Sequence, residues 1–265
     1  MKHVLRKSWR SLVPGLIAIG LIAIPVKSRA GVAISITIAP PALPVYTQPP
    51  CPADGYLWMP GYWAYGPAGY YWVPGTWVLP PQPGLLWTPG YWGYTGGVYA
   101  WHAGYWGTHV GYYGGVHYGF GYVGTGFQGG YWSGGRFLYN TAVTRVNTVN
   151  VHNVYNKTVV VNNTYVNNKR VSYNGRGGVT ARPTPAERQF ANQQRVPPSA
   201  RQQEHERYAS TNRAQFASAN HGRPGTYAME RPANAEHGKP QNARAESQGQ
   251  RPEAQHHGGE GRRDR

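Results

Sequence analysis

The clearest alternation of apolar and polar positions falls at residues 31 to 39. Val32, Ile34, Ile36 and Ile38 point one way, and Ala33, Ser35 and Thr37 the other. A period of two predicts a half-buried strand. Residues 40 to 52 carry Pro at 40, 41, 44, 49, 50 and 52, which predicts an extended connector. From 53 to 139 the chain is aromatic and almost uncharged, holding only Asp54 and Arg136. Residues 140 to 173 interleave Val with Asn, poor helix formers that predict short strands, best at Lys157 to Val161. Asn162-Asn163 and Asn167-Asn168 read as turns. From Asn174 the composition becomes that of a solvated tail, with few apolar residues to offset ordering entropy.

The aromatic region is built on a six-residue unit, Trp-x-x-Gly-x-Trp. Copies run from Trp58 to Trp63, Trp72 to Trp77, Trp87 to Trp92 and Trp101 to Trp106, and a degraded fifth copy from Phe127 to Trp132. These copies hold nine of the ten tryptophans, so the repeat defines the protein. Its constant turn residues are Gly61, Gly75, Gly90, Gly104 and Gly130, with Pro before the first three. Pro-Gly is a turn signal, with Gly supplying φ > 0. Two tryptophans five apart would lie on opposite faces of a straight strand. A kink at Gly returns both to one face. Each unit therefore reads as strand, kink, strand, and the linkers at 65–69, 80–84 and 94–97 read as hairpin connections. The predicted class is mainly β: a small antiparallel meander of short aromatic strands. Between 107 and 126 the chain is rich in Gly and Tyr, and two readings stand: further short strands, or a poorly ordered tract.

The Trp-x-Pro-Gly-Tyr-Trp copies resemble the YXWGXW/WXXGXW-repeat family of exported bacterial proteins. The resemblance extends through Ala39 to Tyr46 before the repeats and Val154 to Val161 after them. It implies export and a repeat domain; the family carries no established activity to transfer.

Export is also read from the N-terminus. Lys2, Arg6, Lys7 and Arg10 precede the apolar stretch Leu12 to Ile24, and Ser28-Arg29-Ala30 offers a cleavage site, so residues 1 to 30 read as a signal peptide. The apolar run is shorter than the roughly 20 residues of a spanning helix, so no transmembrane helix is expected in the mature chain. The predicted location is the periplasm or cell surface of a bacterium.

Two capping boxes interrupt the tail. Thr184-Pro185-Ala186-Glu187 predicts a helix at about 185–194 and Ser199-Ala200-Arg201-Gln202 another at about 200–219, with Gly222 available to close it. The net charge of +16 falls to +10 without residues 1 to 30, and most of the rest lies in the tail. That charge fits solvation or weak attraction to anionic envelope polymers. Nucleic acid is not expected as a partner of an exported chain.

No catalytic set, cofactor motif or metal site is predicted. The region 31 to 173 holds one carboxylate, Asp54, which rules out a paired-carboxylate mechanism within it. His102, His109 and His117 lack accompanying Cys or carboxylate. Cys51 is the sole cysteine, so no internal disulfide forms. The candidate binding or structural residues are Trp58, Trp63, Trp72, Trp77, Trp87, Trp92, Trp101, Trp106 and Trp132. With few Leu, Ile or Phe available, the first Trp of each unit is assigned to the core, and some second Trp and neighbouring Tyr to the surface. The sequence reads as a non-catalytic envelope protein with a structural or binding role, its partner an envelope polysaccharide, peptidoglycan or another envelope protein. The alternative is a carbohydrate- or peptidoglycan-binding module that uses exposed Trp and Tyr faces.

Overall fold

Each pair of six-residue units folds as one hairpin whose two arms break opposite each other. The computed structural model describes residues 35–161, 164–166 and 169–232. In the first hairpin, β2 (Leu57–Met59) and β3 (Tyr62–Gly66) form one arm, and β4 (Gly69–Val73) and β5 (Thr76–Val78) the other. The inner pair β3–β4 sets Trp63 opposite Trp72, and the outer pair β2–β5 sets Trp58 opposite Trp77. The second hairpin repeats this with every position advanced by 29 residues. Its strands are β6 (Leu86–Thr88), β7 (Tyr91–Thr95), β8 (Val98–His102) and β9 (Tyr105–Gly107). Trp92 faces Trp101 and Trp87 faces Trp106.

The turns follow the local chemistry. Gly96 and Gly97 have φ of 62° and 88°, as a type I′ hairpin turn requires at both central positions. Pro67-Ala68 closes the first hairpin, followed by Gly69 at φ 97°. The linker 80–84 does not join paired strands: β5 and β6 belong to different sheets, so it connects two hairpins instead of continuing a meander.

The predicted kink is present as a break, but its cause differs from the predicted one. Gly61, Gly75, Gly90 and Gly104 are not among the glycines with positive φ, and Gly130 is near-extended at 158°. At these positions glycine is required by space. A Cβ on Gly75 would stand 2.5 Å from Trp58 Cζ2, one on Gly90 2.5 Å from Trp101 Cζ2, and one on Gly104 2.5 Å from Trp87 Cζ2. A Cβ on Gly61 would overlap the ring of Trp72. The facing backbones also approach closely: the Gly75 nitrogen lies 3.0 Å from the Cβ position of Gly61, and the Gly104 nitrogen 2.8 Å from that of Gly90. We call these two points the first and second waist.

The rest of the chain wraps this core. β1 (Ser35–Ile36) pairs with β8. The predicted strand 31–39 is thus reduced to two described residues; 31–34 lie outside the described residues, and Ile38 is exposed. The Pro-rich stretch 40–52 has no strand, as expected, yet it runs through the core, with Leu43, Gln48 and Cys51 buried. Proline lacks an N–H but keeps its carbonyl. Pro49 O accepts a hydrogen bond from Trp77 Nε1 at 2.9 Å, and Ala42 O one from Trp63 Nε1 at 3.1 Å.

The Gly/Tyr tract 107–126 is folded. β10 (His117–Gly119) pairs with β11 (Tyr122–Val123), and Tyr113, Tyr118 and Tyr122 are core residues. The fifth unit supplies β12 (Gly130–Ser133), paired with β13 (Arg136–Asn140), and β14 (Val154–Tyr155) adds to β13 in parallel. The strand expected at Lys157 to Val161 is not formed; the pairing falls at Val154–Tyr155. β15 (Tyr165–Val166) pairs with β16 (Lys169–Arg170), and β17 (Tyr173–Asn174) with β7. The turns predicted at 162–163 and 167–168 lie outside the described residues, as does the predicted signal segment 1–30.

Both helices expected in the tail form, and the segment that carries them is docked. Residues 174 to 232 are packed on the repeat region. α1 (Pro185–Phe190) and α2 (Ala200–Thr211) begin at complete capping boxes on Thr184 and Ser199. α2 ends at Thr211, short of 219; a 3₁₀ turn (Arg213–Gln215) and α3 (Ala217–Asn220) follow, and Gly222 at φ 79° lies just past α3. The buried residues of α2 are Gln202, His205 and Ala209. A helix with one small apolar contact is held here through polar groups. Trp106 Nε1 donates to Gln202 Oε1 at 2.7 Å, and His205 Nε2 lies 2.8 Å from Pro74 O. Beyond α3, Gly75 N donates to Tyr227 O at 3.1 Å and Met229 N to Gly75 O at 2.8 Å, so this segment docks on the first waist. Residues 233–265 lie outside the described residues.

Candidate functional site

Seven of the nine repeat tryptophans are interior. Trp58, Trp63, Trp72, Trp77, Trp87, Trp92 and Trp106 are buried, including all four second-position rings of the complete units. The expected division, first Trp inside and some second Trp outside, is not what forms. The two partly exposed rings are Trp101, a first-position ring, and Trp132. The pairing explains this. A first Trp and the second Trp of the other arm sit opposite each other, so both belong to one cross-strand pair. The four pairs have centroids 5.2–5.3 Å apart and planes at 50–67°. Such tilted contacts contribute roughly 0.5–1.5 kcal/mol each beyond area burial.

The indole N–H groups fasten the wrapping segments to the hairpins. Besides the bonds to Ala42, Pro49 and Gln202, Trp72 Nε1 donates to Tyr227 O at 3.0 Å, Trp92 Nε1 to Trp63 O at 2.8 Å and Trp132 Nε1 to Leu85 O at 3.0 Å. Buried N–H groups need partners, and six of the nine repeat indoles have them, whereas Trp58 Nε1 is buried without one. The Trp92 bond ties the second hairpin to the first, and the others recruit flanking chain.

The two waists differ in what covers them. Over the first, the Tyr46 hydroxyl accepts from Gly61 N at 3.2 Å and lies 2.9 Å from the Cβ position of Gly75, with Tyr227 beside it. Over the second, Tyr118 donates its hydroxyl to Gly90 O at 2.7 Å, and beside it a cavity of about 50 Å³ remains. Its walls include Tyr62, Trp87, Trp101, Tyr118, Gln202 and Glu206. Tyr62 stacks on Trp101 at 5.3 Å and 16°, and its hydroxyl donates to Glu206 Oε2 at 3.0 Å. Burial raises the Glu206 pKa above the usual carboxylate value, while hydrogen bonds from Tyr62 and Tyr71 act in the opposite direction. Among the described residues Glu206 forms no ion pair; the pair on α2 is Arg207–Glu204. Sequence reasoning passed over Glu206, because it lies in a stretch read as solvated tail.

The three histidines considered as metal ligands are not brought together. His102 stacks on Tyr91, His109 on Phe190, and His117 Nδ1 lies 3.0 Å from Arg170. Burial first and Arg170 second depress His117 to about 4. Among the described residues no group of three His, Cys, Asp or Glu is placed to hold a metal ion. Cys51 is buried beside Ala53 O, and burial pushes its thiol up to about 12. No helix among the described residues is long and apolar enough to cross a membrane.

No curated protein and no solved structure matches the chain. The family defined by the WXXGXW repeat matches it twice, at residues 54–78 and 83–106. Each match spans one broken hairpin, so the structural repeat is the pair of Trp-x-x-Gly-x-Trp units and not the single unit. Over these residues the chain carries two tandem copies of the WXXGXW repeat, in an aromatic-rich β-structure consistent with a structural or binding role.

Proposed function

We propose that the chain is an exported, non-catalytic protein of the bacterial cell envelope whose repeat domain is a scaffold first and a binding surface second. The observation that carries this reading is the use of the repeat tryptophans: seven are buried in cross-strand pairs, and six indole N–H groups of the nine hold other backbone or side-chain segments. A ring committed on both faces to packing has none left for a sugar. Export is supported by the basic n-region, apolar stretch and Ser28-x-Ala30 pattern. The docked segment 174–232, with nine Arg and four Glu, completes the scaffold and carries most of the tail's positive charge for anionic envelope polymers.

A second reading, a carbohydrate- or peptidoglycan-binding module, is favoured by one observation. Trp101 and Trp132 keep partly exposed faces, and Tyr131 beside Trp132 is 48% exposed. Fractionation of a bacterium producing the full chain, with N-terminal sequencing of the envelope-associated product, tests the first reading. A start within a few residues of Gly31 is expected, and retention of Met1 on envelope protein would contradict it. Pull-down on peptidoglycan and exopolysaccharide separates the two readings. Retention lost on replacing Trp101 or Trp132 would move the rings from scaffold to ligand platform.

A further inference from the structure

The waists of the two hairpins are equivalent by a shift of 29 residues, so what fills one is a guide to what the other lacks. At the first, Tyr46 and Tyr227 from outside the hairpin cover Gly61 and Gly75, and Trp72 Nε1 is satisfied by Tyr227 O. Trp101 is the counterpart of Trp72. Among the described residues its Nε1 meets no acceptor, and its ring borders the cavity. The second waist is therefore a partly covered copy of a filled site, and its walls carry a different chemistry. Tyr62, Trp87, Trp101 and Tyr118 present aromatic carbon, and Glu206 supplies a partly buried carboxylate that accepts from Tyr62 and pairs with no cation among the described residues. Aromatic faces attract cations through their ring quadrupoles, most strongly where water is excluded. A carboxylate at one wall adds a full charge and an acceptor for N–H donors. The same hairpin already uses this chemistry: Arg195 Cζ stands 4.4 Å over the ring of Tyr105.

We propose that the cavity between Trp101, Tyr62 and Glu206 is a binding site for an organic ammonium group, with Glu206 as its counter-ion and Trp101 and Tyr62 as its aromatic wall. Its volume suits the head of a primary amine. The amine belongs either to a small molecule or to a lysine side chain of a partner, and both offer the same charged head. This inference concerns the binding part of the proposed role and does not depend on export.

The test is a titration of the full chain, labelled at its indole nitrogens, with methylammonium chloride and separately with the peptide acetyl-Gly-Lys-Gly-amide. Sodium chloride at matched ionic strength is the control. The Trp101 indole signal, assigned through Trp101→Phe, should shift saturably with an ammonium probe and not with sodium. Glu206→Gln should weaken that binding about tenfold or more, while Tyr62 keeps an oxygen to donate to and the other indole signals stay in place. Tighter binding of the peptide than of methylammonium identifies a lysine-bearing partner, and equal binding a small amine; either supports the site. A shift equal to that in sodium chloride, no saturable shift with either probe, or undiminished binding by a folded Glu206→Gln protein would overturn it. Should Glu206→Gln unfold, Trp101→Leu read by calorimetry with the same probes decides, and unchanged affinity there also overturns the site.

Discussion

Trp87 Cζ2 lies 2.5 Å from where a Cβ on Gly104 would stand. The geometry of the repeat follows from this approach: a ring of one arm occupies the volume that any side chain on the opposite arm would need. Gly104→Ala should cost about 1–3 kcal/mol by overpacking. Shrinking the ring should recover part of that loss, so Trp87→Phe and Gly104→Ala should be non-additive by about 0.5–3 kcal/mol in denaturant unfolding. Simple additivity would place the cause in the backbone instead. Pro89→Ala should be nearly silent, since the fourth unit already holds Ala103 at the matching position.

The docking of α2 gives a second expectation. Digestion of the full chain with a protease of low specificity should leave a fragment whose C-terminal end lies beyond Met229, because Tyr227 and Met229 are hydrogen-bonded to Gly75. A fragment ending near residue 173 would mean that the helices do not stay on the hairpins. Gln202→Ala, which leaves the buried Trp106 N–H without its acceptor, should destabilise by about 1–3 kcal/mol and promote that shorter product.

The strands of the repeat units, the hairpin turns at 65–69 and 94–97 and the helix starts were legible in the sequence; the strand at 154–155, the role of the 80–84 linker and the docking were not. Trp, Tyr and Gly at near-constant spacing are enough to predict short strands with breaks, and Thr184 and Ser199 mark the starts of α1 and α2, though both helices end earlier than the sequence predicts. The break at Gly61 looks the same whether φ or space demands glycine, because both exclude Cβ. Only the partner ring, 11 residues away on Trp72, decides between them. The docking of residues 174 to 232 was hidden for a different reason. Apolar periodicity detects helices that bury Leu or Ile, whereas α2 buries Gln202 and His205, whose partners are an indole and a carbonyl of the repeat. Such partners carry no pattern in the tail's own sequence.

Alkaline pH should unfold the protein over a defined window. Burial raises Tyr46, Tyr91 and Tyr99 to about 12 from the ordinary 10. A raised folded pKa means the folded state holds protons that the unfolded state releases above pH 10. The stability contributed by these groups is complete below pH 10 and is lost as pH rises from 10 towards 12. Phenolate absorbance and loss of ordered structure should rise together in that range. Ionisation of these tyrosines near pH 10 without unfolding would show the rings to be solvated.

Cys51 gives an independent probe of the same interior. Its thiol is fully buried and held neutral, so a thiol reagent at neutral pH should label it only through unfolding. The labelling rate should climb with denaturant in step with the unfolding transition. Rapid labelling of native protein would show that the Pro-rich connector does not stay in the core.

The central claim, that the repeat tryptophans are the interior of the domain, is tested most directly by hydrogen exchange at the nine repeat indole N–H groups. Trp63, Trp72, Trp77, Trp92, Trp106 and Trp132 have acceptors, and all but Trp132 are buried. Those five should exchange only through global unfolding, with Trp101 the fastest of the complete units. Exchange of most repeat indoles at the rate of free tryptophan would contradict the account and return the rings to solvent.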